Sequence, residues 1–237
     1  VCAGCSISTC CTCTCSVPAD LRRLPGIAQS AVMLTVVFLP MERSVAFVAP
    51  SAPGVLWSGL VFCGSSRHCD PGFLDPARTL GAEIAQRSHV LVYGGSRTGL
   101  MGAVADAALA KGGRVEGVIA RQFVDSEVHH SGLDELRVVD DMRERKAAMD
   151  ARAEAFIALP GGYGTFEELS EILSFRKLGL HQRLLVLLDP DGYYEGLVAQ
   201  VERAVEAGFE PERSRGYFGV ARDAPTAVDL CETSVRG

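Results

Sequence analysis

Three stretches of the chain carry residue types that can do chemistry at the spacing they have. Pro160-Gly-Gly-Tyr-Gly-Thr165 sets three glycines in four positions between an apolar run and the start of a helix. Glycines permit tight turns and let backbone N–H groups approach a ligand. The N-terminus of the helix adds unpaired donors and the positive end of its dipole, so the loop has the makings of a phosphate site, to which Thr165 can add a hydroxyl. Glu168 follows three residues later. Thr165-Phe-Glu-Glu168 also fits a capping box, with Thr165 at the N-cap and Glu168 at the third helical position, which needs no ligand. Against that, Thr165, Glu168, Ile172 and Phe175 share one stripe of the helix, so Glu168 lies near the mouth of its buried face. Glu167 sits roughly 100° around, toward solvent.

A second stretch, Asp141-Met-Arg-Glu-Arg-Lys-Ala-Ala-Met149, places Arg145 between Met142 and Met149 on one helix face. A charge on a packed stripe needs a partner: either its stem covers the core while the head reaches solvent, or its planar cation faces a crevice and meets Glu168 or a nucleotide. Arg143, Glu144 and Lys146 read as surface. The third stretch, Gly94-Gly-Ser-Arg-Thr-Gly-Leu-Met-Gly102, is a glycine-rich turn into a helix. It matches neither G-x-G-x-x-G nor the Walker A pattern, so conventional dinucleotide or ATP binding is not indicated. Its glycines serve either a nucleotide or close helix–sheet packing. His129-His130 has no third metal ligand placed by the sequence, and Lys177 reads as solvated.

These stretches need a scaffold that brings them together. From Leu60 on, short apolar runs (60–63, 90–93, 114–119, 136–139, 155–159, 183–188) alternate with helical stretches (71–88, 102–111, 141–152, 166–178, 193–206, 225–232). Near-continuous apolar strands predict a sheet covered on both faces, hence an α/β, Rossmann-like three-layer fold with a mostly parallel sheet. In such sheets ligands bind beyond the carboxyl ends of the strands, where Gly64-Ser65-Ser66, the 94–102 turn and the 160–165 loop should converge. The 237 residues carry 23 basic and 29 acidic side chains, a net charge of −6, which argues against duplex-DNA binding. No apolar run approaches the roughly 20 residues of a membrane span. Residues 1–56 lack a readable period, and six of the nine cysteines fall there: Cys2, Cys5, Cys10, Cys11, Cys13 and Cys15. Soft-metal binding and an export signal are alternatives for this segment. The expectation is a poorly structured leader or an overextended start, with Met33 or Met41 as initiators, ahead of a catalytic domain at 57–237 in a reduced, cytoplasmic protein.

The motifs together resemble those of the LONELY GUY family of cytokinin-activating nucleoside 5'-monophosphate phosphoribohydrolases, once labelled lysine decarboxylases. The likeness runs over about residues 58–235 and rests on Phe62-Cys-Gly-Ser-Ser66, Tyr93 to Gly102, Met142 to Met149, and Pro160 to Glu168. It implies Glu168 and Arg145 as the catalytic pair and Gly161, Gly162, Gly164 and Thr165 as the phosphate loop. Ser65, Gly95, Gly99, Leu100, Met101 and Lys146 would line the rest of a substrate pocket. The implied reaction splits an N6-modified adenosine 5'-monophosphate, a cytokinin riboside 5'-monophosphate, into free base and ribose 5-phosphate, with no metal or redox cofactor, in a homodimer. Alternatives are a broader nucleotide nucleosidase, a non-enzymatic nucleotide or cofactor carrier, and a decarboxylase, which would need a pyridoxal-phosphate lysine in the crevice. The chain departs from the family pattern at Ser96, where a third glycine is usual and serine would be strained if φ must be positive. It departs again at Arg143, commonly histidine, and at Phe175, commonly tryptophan.

Overall fold

Val, Ile, Leu and Phe fill the short runs that become strands, and the computed structural model describes these within residues 57–125 and 128–236. In chain order the strands are β1 (Ser58–Phe62), β2 (Val90–Tyr93), β3 (Val115–Ala120), β4 (Glu135–Val139), β5 (Ala155–Ala158), β6 (Leu185–Leu188) and β7 (Phe218–Ala221). The helices are α1 (Leu74–Gln86), α2 (Gly99–Ala110), α3 (Arg121–Asp125), α4 (Met142–Asp150), α5 (Tyr163–Lys177), α6 (Glu195–Glu206) and α7 (Ala224–Arg236). The leader at residues 1–56 lies outside the described residues.

All seven strands are parallel, in the order β4-β3-β2-β1-β5-β6-β7. The chain therefore builds outward from β1 to β4, returns to pair β5 with β1, and builds outward again on the other side. Between β1 and β5, whose paired ends are Phe62 and Ala158, the direction of winding reverses. That reversal opens the crevice in which doubly wound sheets hold their ligands. The loops after these two strands are the ones beginning at Cys63 and Leu159.

The sheet divides the core into two layers, as a parallel sheet covered on both faces must. On one face α1, α2 and α7 pack through Leu80, Ile84, Val104, Val228 and their neighbours. On the other, α4, α5 and α6 pack through Met149, Leu169, Ile172 and Val198. The α1–α2 contact is set by Gly81: a Cβ there would stand 2.1 Å from the Val104 carbonyl oxygen, so the two helices touch backbone to backbone.

The sequence places six of the strands and six of the helices within a few residues of their ends. It misses α3 and β7. Five residues of α3 are too few to show a period, and β7 is a half-exposed edge strand with Gly219 in its middle.

Gly81→Ala tests the helix contact. In an open helix position alanine would stabilise by about 1 kcal/mol. Here overpacking against a backbone carbonyl reverses the sign, to a loss of about 2 kcal/mol. Thermal unfolding should show the melting temperature falling by roughly 4–8 °C, as expected for a domain of this size.

Candidate active site

Arg145 is where the site is built. Asp141 caps α4, its Oδ1 accepting the Arg143 and Glu144 N–H groups at 2.8 and 2.9 Å. One turn on, Arg145 points inward to the ends of β2 and β3 and is only 6% exposed. Its Nε donates to the Val118 carbonyl at 2.9 Å and its Nη2 to the Gly94 carbonyl at 3.0 Å. Two backbone acceptors, one in β3 and one in the residue after β2, thus fix the plane of the guanidinium. A side chain at Gly94 would push the cation aside, because a Cβ there would lie 1.9 Å from Arg145 Nη2.

The remaining nitrogen, Nη1, faces Glu168 Oε1 at 3.6 Å. That is an ion pair wider than a hydrogen bond. Glu168 is equally buried. Burial pushes its carboxyl up to about 7, against the pull of Arg145, which favours the anion. Burial likewise draws the Arg145 guanidinium down from its ordinary value, with Glu168 opposing. The Cys63 thiol beside them is raised by its own burial and stays protonated.

The helix carrying Glu168 begins earlier than the capping box requires. Gly162 is the N-cap of α5 and makes no side-chain cap, so Thr165 is the third helical residue and Glu168 the sixth. The capping explanation for Glu168 is therefore removed, and the carboxylate sits in the helix interior facing a cavity. Thr165 is buried beneath the loop: a Cβ on Gly161 would meet its Oγ1 at 2.1 Å and the Gly64 N at 2.9 Å. This contact lets the β1 and β5 loops meet, with Gly64 N–H donating to the Pro160 carbonyl at 3.0 Å.

A cavity of about 580 Å³ opens over this floor. Of the residues expected from the sequence, Ser65, Met101, Arg145, Gly162, Gly164, Thr165 and Glu168 line it. Four others support it from behind. Gly161 closes the loop contact just described. Gly95, at φ +75°, packs against Ile119 and Leu136. Gly99, at φ +61°, lies so close to the 64–66 backbone that a Cβ would come within 2.6 Å of Ser66 O. The Leu100 N–H donates to the Gly64 carbonyl at 2.9 Å, so the start of α2 is spent holding the β1 loop. Lys146 is the exception. It is ion-paired with Glu167 and, at 2.9 Å, with Glu171, and it lines a separate groove between α4 and α5.

Ser96 is not strained. Among the described residues the one non-glycine with positive φ is Ser88. The Ser96 hydroxyl accepts the Thr98 N–H at 3.2 Å and contacts the Thr98 hydroxyl at 3.1 Å, ordering the turn. Sequence reasoning missed the cavity's apolar lining, Ile119, Phe123, Val128 and Met142, and the exposed cation Arg67 that also lines it. Phe123 and Val128 belong to a short helix and loop that carry no motif. His130 is held by Asp106 at 3.0 Å, and no metal cluster forms around it among the described residues.

Comparison with known proteins places this geometry in context. A family model described as "Possible lysine decarboxylase" matches residues 101–231. A rice protein (Oryza sativa subsp. japonica) named "Probable cytokinin riboside 5'-monophosphate phosphoribohydrolase LOGL9" is 46% identical over 175 residues, 74% of this chain and 77% of that one. The Arabidopsis thaliana cytokinin riboside 5'-monophosphate phosphoribohydrolase LOG3 is 43% identical over 170 residues, 72% of this chain and 78% of its own. Among solved structures, the molybdenum cofactor carrier protein of Chlamydomonas reinhardtii aligns with TM-score 0.58 at 18% identity, over 76% of this chain and 99% of that chain. That is a likeness of fold. Among the described residues the decarboxylase description finds no lysine in the cavity lining.

The raised Glu168 carboxyl makes a stability prediction. An acid whose folded pKa lies above its unfolded value stabilises the fold below the unfolded value, and that stabilisation is lost as pH rises through the folded one. Between about 4.5 and 7 the folded Glu168 keeps a proton that the unfolded chain gives up, so stability falls across that window, by about 3 kcal/mol in all once pH is above 7. Glu168→Gln copies the neutral acid. Its denaturation midpoint should match the parent near pH 4.5 and exceed it at pH 8, measured by urea unfolding at both.

Proposed function

The chain belongs to the LONELY GUY family of cytokinin riboside 5'-monophosphate phosphoribohydrolases, and we propose that its cavity is the site of that reaction, with Glu168 and Arg145 as the working pair. The enzyme hydrolyses the N-glycosidic bond of cytokinin riboside 5'-monophosphates, releasing the free base and ribose 5-phosphate. The observation that carries the assignment is the buried Arg145–Glu168 pair on the floor of a cavity whose rim is the N-terminus of α5.

In this reading the phosphate sits at that N-terminus. The Gly162, Tyr163, Gly164 and Thr165 N–H groups have no acceptor among the described residues. A Cβ at Gly162 or Gly164 would meet nothing within 4 Å, so the space beside the loop is open. The ribose then spans from the loop toward Glu168. Cleavage passes through an oxocarbenium-like state with positive charge at the anomeric carbon. The Glu168 carboxylate stabilises that charge and takes a proton from the attacking water. The hydroxide goes to the sugar carbon, and the bond electrons leave with the base, which collects a proton. Because the Arg145 contact is 3.6 Å wide, the carboxylate keeps oxygen lone pairs for water. Arg145, held by two carbonyls, favours the ionised form of Glu168 and keeps it from swinging away. Phosphate binding far from the broken bond serves to position it. The apolar wall of Ile119, Phe123, Val128 and Met142 suits an N6 substituent on the base.

Tyr163 and Phe166 stand exposed beside the cavity mouth. We read them as part of a face covered by a second copy in a homodimer. Among the described residues no helix is long and apolar enough to cross a membrane.

The test is Glu168→Gln, assayed for ribose 5-phosphate release from isopentenyladenosine 5'-monophosphate. Turnover should fall at least about 100-fold, the scale of losing a positioned acid–base group, while the protein stays folded and still binds the nucleotide. Parent-like turnover would remove Glu168 from the mechanism.

A further inference from the structure

Two consecutive tyrosines after β6 reach back to the loop that follows β5. Tyr194 is fully buried, and its hydroxyl donates to the Leu159 carbonyl at 2.6 Å. Tyr193 is partly exposed, and its hydroxyl donates to the Gly161 carbonyl at 2.5 Å. Between these two acceptors the Pro160 carbonyl takes the Gly64 N–H, and after them the Gly162 carbonyl takes the Phe166 N–H, both at 3.0 Å. Four successive carbonyls, from Leu159 to Gly162, are thus all engaged. The N–H groups from Gly162 to Thr165 are left without acceptors among the described residues. The loop has been sorted: its oxygens are tied into the protein and its donors are kept free.

Gly161 is the weak point of that arrangement. Its carbonyl has no backbone donor among the described residues, and without a side chain the peptide that follows it can flip at little steric expense. Carbonyl and N–H of a trans peptide point in opposite directions. Holding the Gly161 oxygen therefore also sets the direction of the Gly162 N–H. The tyrosine ring is itself held in place. It meets Phe73 edge-on at 5.6 Å, Tyr194 edge-on at 5.2 Å, and lies parallel to Phe166 of α5 at 6.5 Å. Through Phe166 it braces the first turn of the helix on the far side of Gly162. Tyr193 does not itself line the cavity.

We propose that Tyr193 is a positioning residue for the phosphate of the substrate: its hydroxyl holds the Gly161–Gly162 peptide in the orientation that offers N–H groups to the anion. The proposal rests on the placement of the phosphate at the start of α5. Tyr193→Phe removes the hydroxyl and keeps the ring contacts, so folding is preserved. The intact chain and this variant are compared by competitive inhibition with ribose 5-phosphate, which carries the phosphate, and with adenine, which does not. Ribose 5-phosphate should bind the variant about fivefold more weakly, the scale of one hydrogen bond. Adenine should bind both proteins within twofold, and the KM for the nucleotide should rise with kcat nearly unchanged. If ribose 5-phosphate inhibits parent and variant alike, the role of Tyr193 is refuted while the phosphate site stands. If adenine inhibits the parent but ribose 5-phosphate does not, the phosphate placement fails and this inference with it. Equal weakening of both inhibitors would show a general structural role and overturn the proposal.

Discussion

A guanidinium that is almost wholly buried has to be held by fixed acceptors, and the Arg145 side chain imposes that demand on most of the site. Its partners are the Val118 and Gly94 carbonyls at the ends of β3 and β2 and the carboxylate of Glu168 on α5. Each partner comes from a different element, so the pair can form only when β2, β3, α4 and α5 are in register. Gly94 cannot carry a side chain without displacing the cation. A buried pair of this kind adds little net stability, because desolvation offsets much of the attraction. What it supplies is a charge of fixed position facing an open cavity.

The second constraint is backbone approach at the winding reversal. The loops after β1 and β5 meet at Gly64 and Gly161, and the start of α2 closes on the β1 loop through Gly99. Three loops from distant parts of the sequence are in contact through atoms of the main chain. Side chains are excluded there for one reason and absent at Gly162 and Gly164 for another: the first set lets the protein close on itself, the second leaves room for a ligand. Glycine content alone cannot separate these uses. The distance from an imagined Cβ to its neighbours does.

This difference explains what was legible in the sequence. The alternation of apolar runs and amphipathic stretches specified the layers and nearly every element, because a parallel sheet buried on both faces leaves few other patterns. Arg145 and Glu168 were visible as charges on stripes that should be apolar, and the structure brings them together. Glu168 was ambiguous only while the start of α5 was placed at Thr165. With Gly162 as the N-cap, that ambiguity disappears. Gly95, Gly99 and Leu100 look like pocket residues in a motif, yet they act on the backbone behind it. Lys146 follows Arg145 in sequence, but one residue of helix turns it toward Glu167 and Glu171 instead. Phe123 and Val128 left no trace, since a five-residue helix and a loop have no period to read. Tyr193 was hidden for a different reason: its effect passes through a carbonyl oxygen, and sequence patterns record side chains.

The desolvation that weakens the fold is also what makes the carboxylate useful. In water, Glu168 would be ionised at neutral pH, and its charge would be spread over hydrating solvent. In the cavity its pKa lies near 7, so the anion is held close to the point where it accepts a proton readily. In the proposed reaction the same low-dielectric surroundings would strengthen its interaction with positive charge developing on the sugar. Arg145 limits how far the shift can go, since its attraction keeps part of the population ionised. An apolar residue in place of Arg145 would bias Glu168 further toward the neutral acid and deplete the anion on which the proposed reaction depends. A second carboxylate acceptor for Arg145 would draw off the cation instead, leaving Glu168 with less to oppose its desolvation. The observed arrangement, two neutral carbonyls and one carboxylate around a single guanidinium, anchors the cation without adding a competing negative charge. Backbone oxygens, which no substitution can remove, are therefore the natural anchors for Arg145, and the glycine that exposes one of them is as much a part of the proposed site as the charged pair is.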